Sequence, residues 1–288
     1  VASATGIARS LGGAWRQGHD WRCRCPLGCG YALSLSDGKD GLLAHCFGGC
    51  GHDEILSALV EHGLFDDDTD VGDREIVESE EPSVRIAAAL GIYNSFAPAV
   101  GAPVELGRYL RARGITIAVP SILRFGVAPH RCGGRFPAMI APVVDVAGQQ
   151  SGIHMTYLRP DGSAKADLPR NLQRETRGVV RNGTIRLAEH DPDRELAVAE
   201  GVESTLSAMQ ILGLPGWSTV SAGGLGTAEL PPAVRRIVIA VDYDRGGAGQ
   251  RNAAVAMRRW RTEGRTVRAL LPKVIGADFN DLVERRHG

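Results

Sequence analysis

The chain has 288 residues, room for one large or two to three small domains, and its 43% hydrophobic content is ordinary for a globular protein with a sizeable core. No apolar run approaches the roughly 18 residues of a membrane-spanning helix, and no signal-peptide pattern opens the sequence, so a cytoplasmic protein without membrane attachment is expected. Net charge is zero, from 33 Lys+Arg and 33 Asp+Glu, yet the charges are segregated: 7 basic and 15 acidic residues over Val1–Val104, 13 and 5 over Glu105–Leu187, 13 and 13 over Ala188–Gly288. A basic middle between acid-rich segments points to a polyanionic partner with a metal beside it.

Thr5–Leu11 reads as a short helix. Five of the six cysteines then fall between Cys23 and Cys50. In a reducing compartment such clustering points to metal rather than disulfides. Cys25-x3-Cys29 and Cys46-x3-Cys50 form two pairs on glycine-rich knuckles, with strands expected at Tyr31–Leu35 and Leu42–His45 around a turn at Asp37–Gly41. This is the pattern of a zinc ribbon, in which four thiolates close a structural tetrahedron. Cys23 is an alternative to Cys25 as first ligand; His45 and His52 are spare candidates outside the favoured set. Trp15, Trp21, Tyr31, Arg16, Arg22 and Arg24 surround the knuckles and either clamp single-stranded bases or complete a small core. Asp53–Leu64 reads as an amphipathic helix. Asp66–Glu81 carries nine acids in sixteen residues and reads as a flexible linker.

The middle segment reads as mixed α+β. Helices are expected at Val84–Ser95 and Glu105–Arg113, the second stopped by Gly114. Pro137–Val146 and Gly152–Leu158 form one expected hairpin. Gly178–Val180 and Ile185–Ala188 form another, around the turn signal Asn182-Gly183. Arg108, Arg111, Arg113, Lys165, Arg170 and Arg174 are candidate nucleic-acid contacts. Their spacing specifies no base readout, so backbone phosphates are the expected target. His154, on a strand, reads as a packed residue, and Cys132 has no assigned role. There are no internal repeats and no GxxxxGK[ST] motif, so no P-loop motor is expected in this chain.

In the C-terminal third, two apolar runs end in acids: Leu196–Ala199 in Glu200, and Ile237–Val241 in Asp242 and Asp244. Each is followed by a helical pattern, Val202–Leu212 and Ala248–Arg261. Strand then helix, repeated, implies βαβ units and a parallel sheet, with ligands beyond the carboxyl ends of the strands. Carboxylates gathered there repel one another unless a cation joins them, and hard oxygen ligands suit Mg2+ or Mn2+. The expected divisions are a zinc ribbon at 1–65, an acidic linker at 66–83, a basic α+β region at 84–190 and a parallel α/β domain at 191–288.

Glu200-Gly201, Asp242-Tyr243-Asp244-Arg245-Gly246-Gly247 and Asp278-Phe279-Asn280-Asp281 together resemble the Toprim signature of bacterial-type primases, topoisomerases and some nucleases. The cysteine ribbon ahead of them resembles the zinc-binding domain of the primases. The domain order resembles that of a bacterial-type primase, and the chain as a whole resembles the short Toprim proteins carried by plasmids, phages and integrated elements. The resemblance implies that Glu200 is a general acid/base or a metal ligand, that Asp242 and Asp244 hold Mg2+ or Mn2+, and that Asp278 is the first acid of the third motif. It also shows departures. Ser204 stands where bacterial primases have an Asp, with Glu203 one position early, and Asn280 replaces a second Asp. Glu203, Asn280 and Asp281 are therefore additional candidates.

The function expected is a DNA primase, a nucleotidyltransferase joining NTPs into short RNA primers on single-stranded DNA, with a separate replicative helicase as partner. The same acids could activate water instead, which leaves a Toprim nuclease open. A non-enzymatic single-strand-binding adaptor for a helicase is the third reading.

Overall fold

The computed structural model describes the chain except residues 1–2, 18–19, 30–31, 39–40, 48–49, 66–80, 102, 132, 170–171, 244–246, 275, 277–278 and 285–288. The described residues fall into two compact units, Val1–Val77 and Glu78–Gly288.

The first unit opens with helix α1 (Ala4–Leu11), capped by Ser3, whose Oγ accepts from the Gly6 N–H at 3.2 Å. An antiparallel sheet follows in the order β1 (Trp15–Gln17), β2 (Asp20–Arg24), β3 (Ala32–Gly38), β4 (Gly41–Cys46), and then helix α2 (His52–Glu61). Strand alternation turns Cys23, Leu33, Leu35 and Leu42 onto Ile7 and Ala8 of α1 and Ile55 and Leu59 of α2. Strands β3 and β4 match the expected pair. Strands β1 and β2 were not anticipated: β1 is three residues long, and the alternation of β2, with Trp21 and Cys23 inward, spans only five. Most of the expected acidic linker, residues 66–80, lies outside the described residues. Pro82, at its far end, instead opens helix α3 (Pro82–Asn94), where proline's fixed φ suits the first turn.

The second unit holds two sheets. One is antiparallel, in the order β5 (Arg124–Pro129), β6 (Arg135–Val144), β7 (Gln150–Tyr157), β8 (Arg174–Gly178). Its two faces serve different partners. Ala138, Ile140, Ile153, Met155 and Tyr157 pack with Ala89 and Tyr93 of α3. Met139, Ala141 and Val143 pack with Leu106, Tyr109 and Leu110 of α4 (Val104–Ala112). The β6–β7 hairpin appears as expected. The expected hairpin across Asn182-Gly183 does not form. Asn182 does adopt φ 60° and the Gly183 N–H bonds Val180 O, so the turn is real. The chain beyond it pairs elsewhere, because Thr184 exchanges two backbone hydrogen bonds with Val144 and β9 (Ile185–Arg186) runs antiparallel to β11 (Gly216–Ser218). A local turn signal was outcompeted by a second sheet.

That second sheet has the order β13 (Thr266–Leu270), β12 (Arg236–Ala240), β10 (Leu196–Ala199), β11, β9, with every pairing parallel except β11 with β9. Leu196, Val198, Ile237 and Ile239 face Ala253, Ala256 and Trp260 of α7 (Ala248–Thr262). Ala197, Ala199 and Ala240 face the other side, with Ala208 of α5 (Val202–Leu212) and Phe279. Small residues there let α5 lie close to the sheet. Val202 and Leu206 of the same helix enter the core of the antiparallel sheet, so α5 is packed between both sheets. Two short helices, α6 (Ala222–Thr227) and α8 (Asp281–Glu284), complete the unit.

The turn Arg159–Ala164 is pinned to α4. Arg108 Nη1 donates to Asp161 O at 2.6 Å, and Gly162, at φ 69°, lies so close that an added Cβ would sit 2.1 Å from Glu105 O. Gly162→Ala should therefore lose about 1–3 kcal/mol or more of stability. An unchanged thermal melting curve for that variant would contradict this packing.

Candidate active site and thiol cluster

Strands β10 and β12 are neighbours in register, Ala199 opposite Ala240. Glu200 follows one and Asp242 the other, so the two acids emerge at one carboxyl edge. The backbone around Glu200 is fixed: Ser218 Oγ donates to Glu200 O at 2.8 Å, and Thr205 Oγ1 to Gly201 O at 2.7 Å. Among the described residues Asp242 is oriented by two donors, the Ser204 hydroxyl and the Phe279 N–H. Ser204 Oγ lies 3.2 and 3.3 Å from its two carboxylate oxygens, and the Phe279 N–H donates to Oδ1 at 3.0 Å. Gly276 N–H donates to Tyr243 O at 2.6 Å, which ties the third motif to the end of β12. Asp244 and Asp278 lie outside the described residues. Two half-buried carboxylates at one sheet edge, one of them already oriented by neutral donors, form a donor set that fits a hard divalent cation.

Asn280 and Glu203 do different work from these acids. Asn280 is fully buried, and its Nδ2 donates to Arg113 O at 2.6 Å and Ser207 Oγ at 2.8 Å. Its amide stitches the third motif to α5 and to the end of α4. Asp281 begins α8.

Glu203, in the first turn of α5, is 5% exposed and accepts from Tyr109 Oη at 2.6 Å. Lys165 Nζ lies 3.0 Å from the same Oε1. Arg174 completes the group: a Cβ added to Gly201 would meet Arg174 Nη1 at 3.9 Å and Glu203 Oε2 at 3.7 Å. Burial opposes ionisation of Glu203, but the Lys165 and Arg174 charges and the Tyr109 hydroxyl outweigh it and hold the carboxyl well below its usual range. Burial, then the Glu203 charge, push the Tyr109 hydroxyl well above its ordinary value, so it remains a donor. His154 and Thr156, on β7, line the same place, opposite Thr176 and Arg174 in register. His154 is buried and its pKa falls to about 4 through burial, so it is neutral at physiological pH.

The basic candidates thus separate. Lys165 and Arg174 converge on Glu203. Arg108 and Arg111 are exposed on α4, Arg113 is half-buried at its end, and Arg170 lies outside the described residues. Sequence reading missed Tyr109, Ser218 and the orienting role of Ser204. An acid three residues beyond Glu200 on a helical pattern was the one available signal for this cluster.

In the first unit, Cys25, Cys29, Cys46 and Cys50 bring their sulfurs within 4.8 Å of one another. Cys25 Sγ lies 3.9 Å from Cys50 Sγ, and Cys29 Sγ 3.4 Å from Cys46 Sγ. Sulfurs around a tetrahedral zinc, at Zn–S of about 2.3 Å, stand roughly 3.8 Å apart, so the four thiols fit that ion. Burial, then hydrogen bonds to Cys29 and Cys46, push the Cys50 thiol up to about 11. Only a bound cation would favour four thiolates so close together. Cys23 is apart: it is buried on β2 with its Sγ 3.8 Å from Leu33 O. His52 Nδ1 contacts Ala44 O at 3.2 Å, and His45 packs edge-on against Phe47. Trp21 belongs to the core, whereas Trp15 and Phe47 are exposed, with Arg22 stacked 4.1 Å above the Phe47 ring.

Comparison with known families matches residues 83–187 to a domain of unknown function (DUF7146) and residues 195–288 to the Toprim domain. The parallel sheet with acids at its carboxyl edge is that domain. Residues 195–288 are thus a Toprim domain, and the N-terminal unit carries a four-cysteine cluster of zinc-ribbon type. Comparison with curated proteins found no match. Among solved structures, the zinc-binding and RNA polymerase domains of the Aquifex aeolicus primase are similar at 13% identity and TM-score 0.47, over 98% of this chain and 80% of that one. A DnaG catalytic core is similar at 19% and 0.47, over 69% and 75%. The primase fragment of the bacteriophage T7 primase-helicase is similar at 14% and 0.43, over 62% of this chain and 65% of that fragment. Among the described residues no helix is long and apolar enough to cross a membrane.

Two outcomes follow from this geometry. Cys46→Ser should release zinc from a protein that otherwise carries about one per chain, whereas Cys23→Ser should retain it, as read by elemental analysis. Glu203 contributes stability with a definite pH sign. Its folded carboxyl titrates below the ordinary value of 4.5, so that contribution is full above about pH 4.5 and declines as the pH falls further. Glu203→Gln should cost about 3–5 kcal/mol at neutral pH, because Lys165 loses its buried partner, and less near pH 3. Equal losses at both pH values in denaturant titrations would refute the ion pair.

Proposed function

We propose that this chain is a primase-type nucleotidyltransferase that joins ribonucleoside triphosphates on single-stranded DNA. The observation that supports this best is the placement of Glu200 and Asp242 just beyond the carboxyl ends of adjacent parallel strands, with Arg174 of the neighbouring sheet lying near Gly201 beside them. Joining nucleotides requires a 3′-hydroxyl to attack an α-phosphate in line while pyrophosphate leaves. Bound Mg2+ or Mn2+ lowers the pKa of that hydroxyl and neutralises charge on the leaving group. Asp242, held by Ser204 and the Phe279 N–H, is the oriented metal ligand, with Asp244 and Asp278 completing the acid set. Glu200 accepts the hydroxyl proton or shares the metal. The exposed arginines of α4 give the template strand phosphate contacts, and a replicative helicase on a separate chain is the expected partner. The zinc-ribbon unit serves the template.

The test is a single-stranded DNA template, labelled NTPs and Mn2+, with products sized on a gel. Primers are the expected result. Shortened DNA would replace this reading with hydrolysis, and a mobility shift without product with an adaptor. Asp242→Asn and Glu200→Gln should each lower synthesis by about a hundredfold or more while affinity for single-stranded DNA changes little. Near-normal synthesis by folded, zinc-loaded Asp242→Asn protein would overturn the assignment.

A further inference from the structure

The cluster around Glu203 lies one helical turn from Glu200, and neither Glu203 nor Lys165 has been given a part in the chemistry above. Four elements build it: Tyr109 from α4, His154 and Thr156 from β7, Arg174 from β8, and Glu203 from α5, with Lys165 supplied by the turn that Gly162 pins to α4. A buried carboxylate is costly unless its partners are held in place. Here Oε1 takes both the Tyr109 hydroxyl at 2.6 Å and Lys165 at 3.0 Å. Lys165 uses one of its donors this way, and its side chain remains 22% exposed. Arg174 donates no side-chain hydrogen bond among the described residues, although its guanidinium lies beside Gly201. Two cations with donors to spare thereby lie around one anion, Lys165 anchored by contact and Arg174 by the nearby charge, next to the edge that carries Glu200.

We infer that Glu203 is a positioning residue: it is not a metal ligand, but fixes Lys165, beside Arg174, where the donors of both meet the polyphosphate of the incoming nucleotide. The inference rests on the primase reading for its substrate and on the geometry for the anion site. Glu203→Gln removes the negative charge and leaves Lys165 and Arg174 chemically intact but Lys165 unanchored, so the loss of positioning lowers anion affinity while metal affinity holds. Tyr109→Phe removes one of the two contacts to Oε1 and should act in the same direction, more weakly.

The experiment uses the full, zinc-loaded chain. Binding of inorganic tripolyphosphate is measured by calorimetry without divalent cation, Mn2+ binding by EPR, and the NTP dependence of primer synthesis on the same preparations. For Glu203→Gln, tripolyphosphate affinity should fall roughly tenfold to a hundredfold and KM for NTP should rise in parallel. Mn2+ affinity should stay within about twofold, roughly 0.4 kcal/mol. Should Glu203→Gln fail to fold, Tyr109→Phe carries the same test with a smaller expected loss. Weakened Mn2+ binding with intact tripolyphosphate binding would make Glu203 a metal ligand and overturn the inference. Unchanged values for both would reduce it to a structural residue and overturn it equally. Absence of primer synthesis in the wild-type chain would end the primase reading alone, because loss of tripolyphosphate binding in Glu203→Gln would still support the anion site.

Discussion

The arrangement of the second unit turns on one buried charge. Taking a carboxylate out of water costs several kcal/mol, and only close partners offset it. For Glu203 those partners come from far along the chain: Tyr109 is 94 residues away, and Lys165 and Arg174 sit on the antiparallel sheet and its connecting turn. Helix α4, the turn after β7, strand β8 and helix α5 must therefore dock together or leave a charge unpaired. Hydrophobic burial brings these elements near one another, since Leu106, Tyr109 and Leu110 share a core with Val202 and Leu206. Burial is non-directional, and the polar contacts supply the register.

The same helix extends this logic along its length. Glu203, Ser207 and Gln210 follow the i, i+4, i+7 spacing that places side chains on one helix face. Glu203 meets Tyr109, Ser207 accepts from Asn280, and Gln210 Oε1 accepts from the Thr116 and Ile117 N–H groups while its Nε2 donates to Gly114 O. The chain leaving α4 is thus hydrogen-bonded to α5 turn by turn. The opposite side of α5 rests on the alanines of β10 and β12. One helix therefore transmits the position of the antiparallel sheet to the acidic edge, with Glu200 just ahead of its first turn.

The sequence made some of this legible and hid the rest for physical reasons. LAVAE and RIVIAVD announce buried strands ending in acids because a parallel strand covered on both faces has no polar alternation. The cysteine pairs announce their cluster because four ligands with fixed spacing rarely serve another purpose. Glu203 was visible only as an acid displaced by one position, and its partners could not be foreseen, since long-range ion pairs leave no local pattern. The Asn182-Gly183 turn misled for the converse reason. It encodes a local reversal faithfully, but strand pairing beyond it is decided by Val144 and Trp217–Ser218, far away in sequence. Strands β1 and β2 escaped because they are only three and five residues long, too short for an alternating pattern to stand out among glycines and charges.

The charge arithmetic of the edge accounts for its two departures from the family pattern together. Ser204 replaces a carboxylate with a neutral donor that satisfies Asp242, so one fewer negative charge crowds the ends of β10 and β12. The acid that appears at 203 instead adds none there, because Lys165 neutralises it within the helix interface. Asn280 likewise exchanges a charge for two donated hydrogen bonds that hold the third motif against α4 and α5. Polar groups have thus moved from the solvent edge, where carboxylates repel one another, into the seam between the sheets, where each has a partner. An edge with fewer acids repels itself less, and under the proposed nucleotide binding it would depend correspondingly more on Lys165 and Arg174 to offset the charge of a polyphosphate.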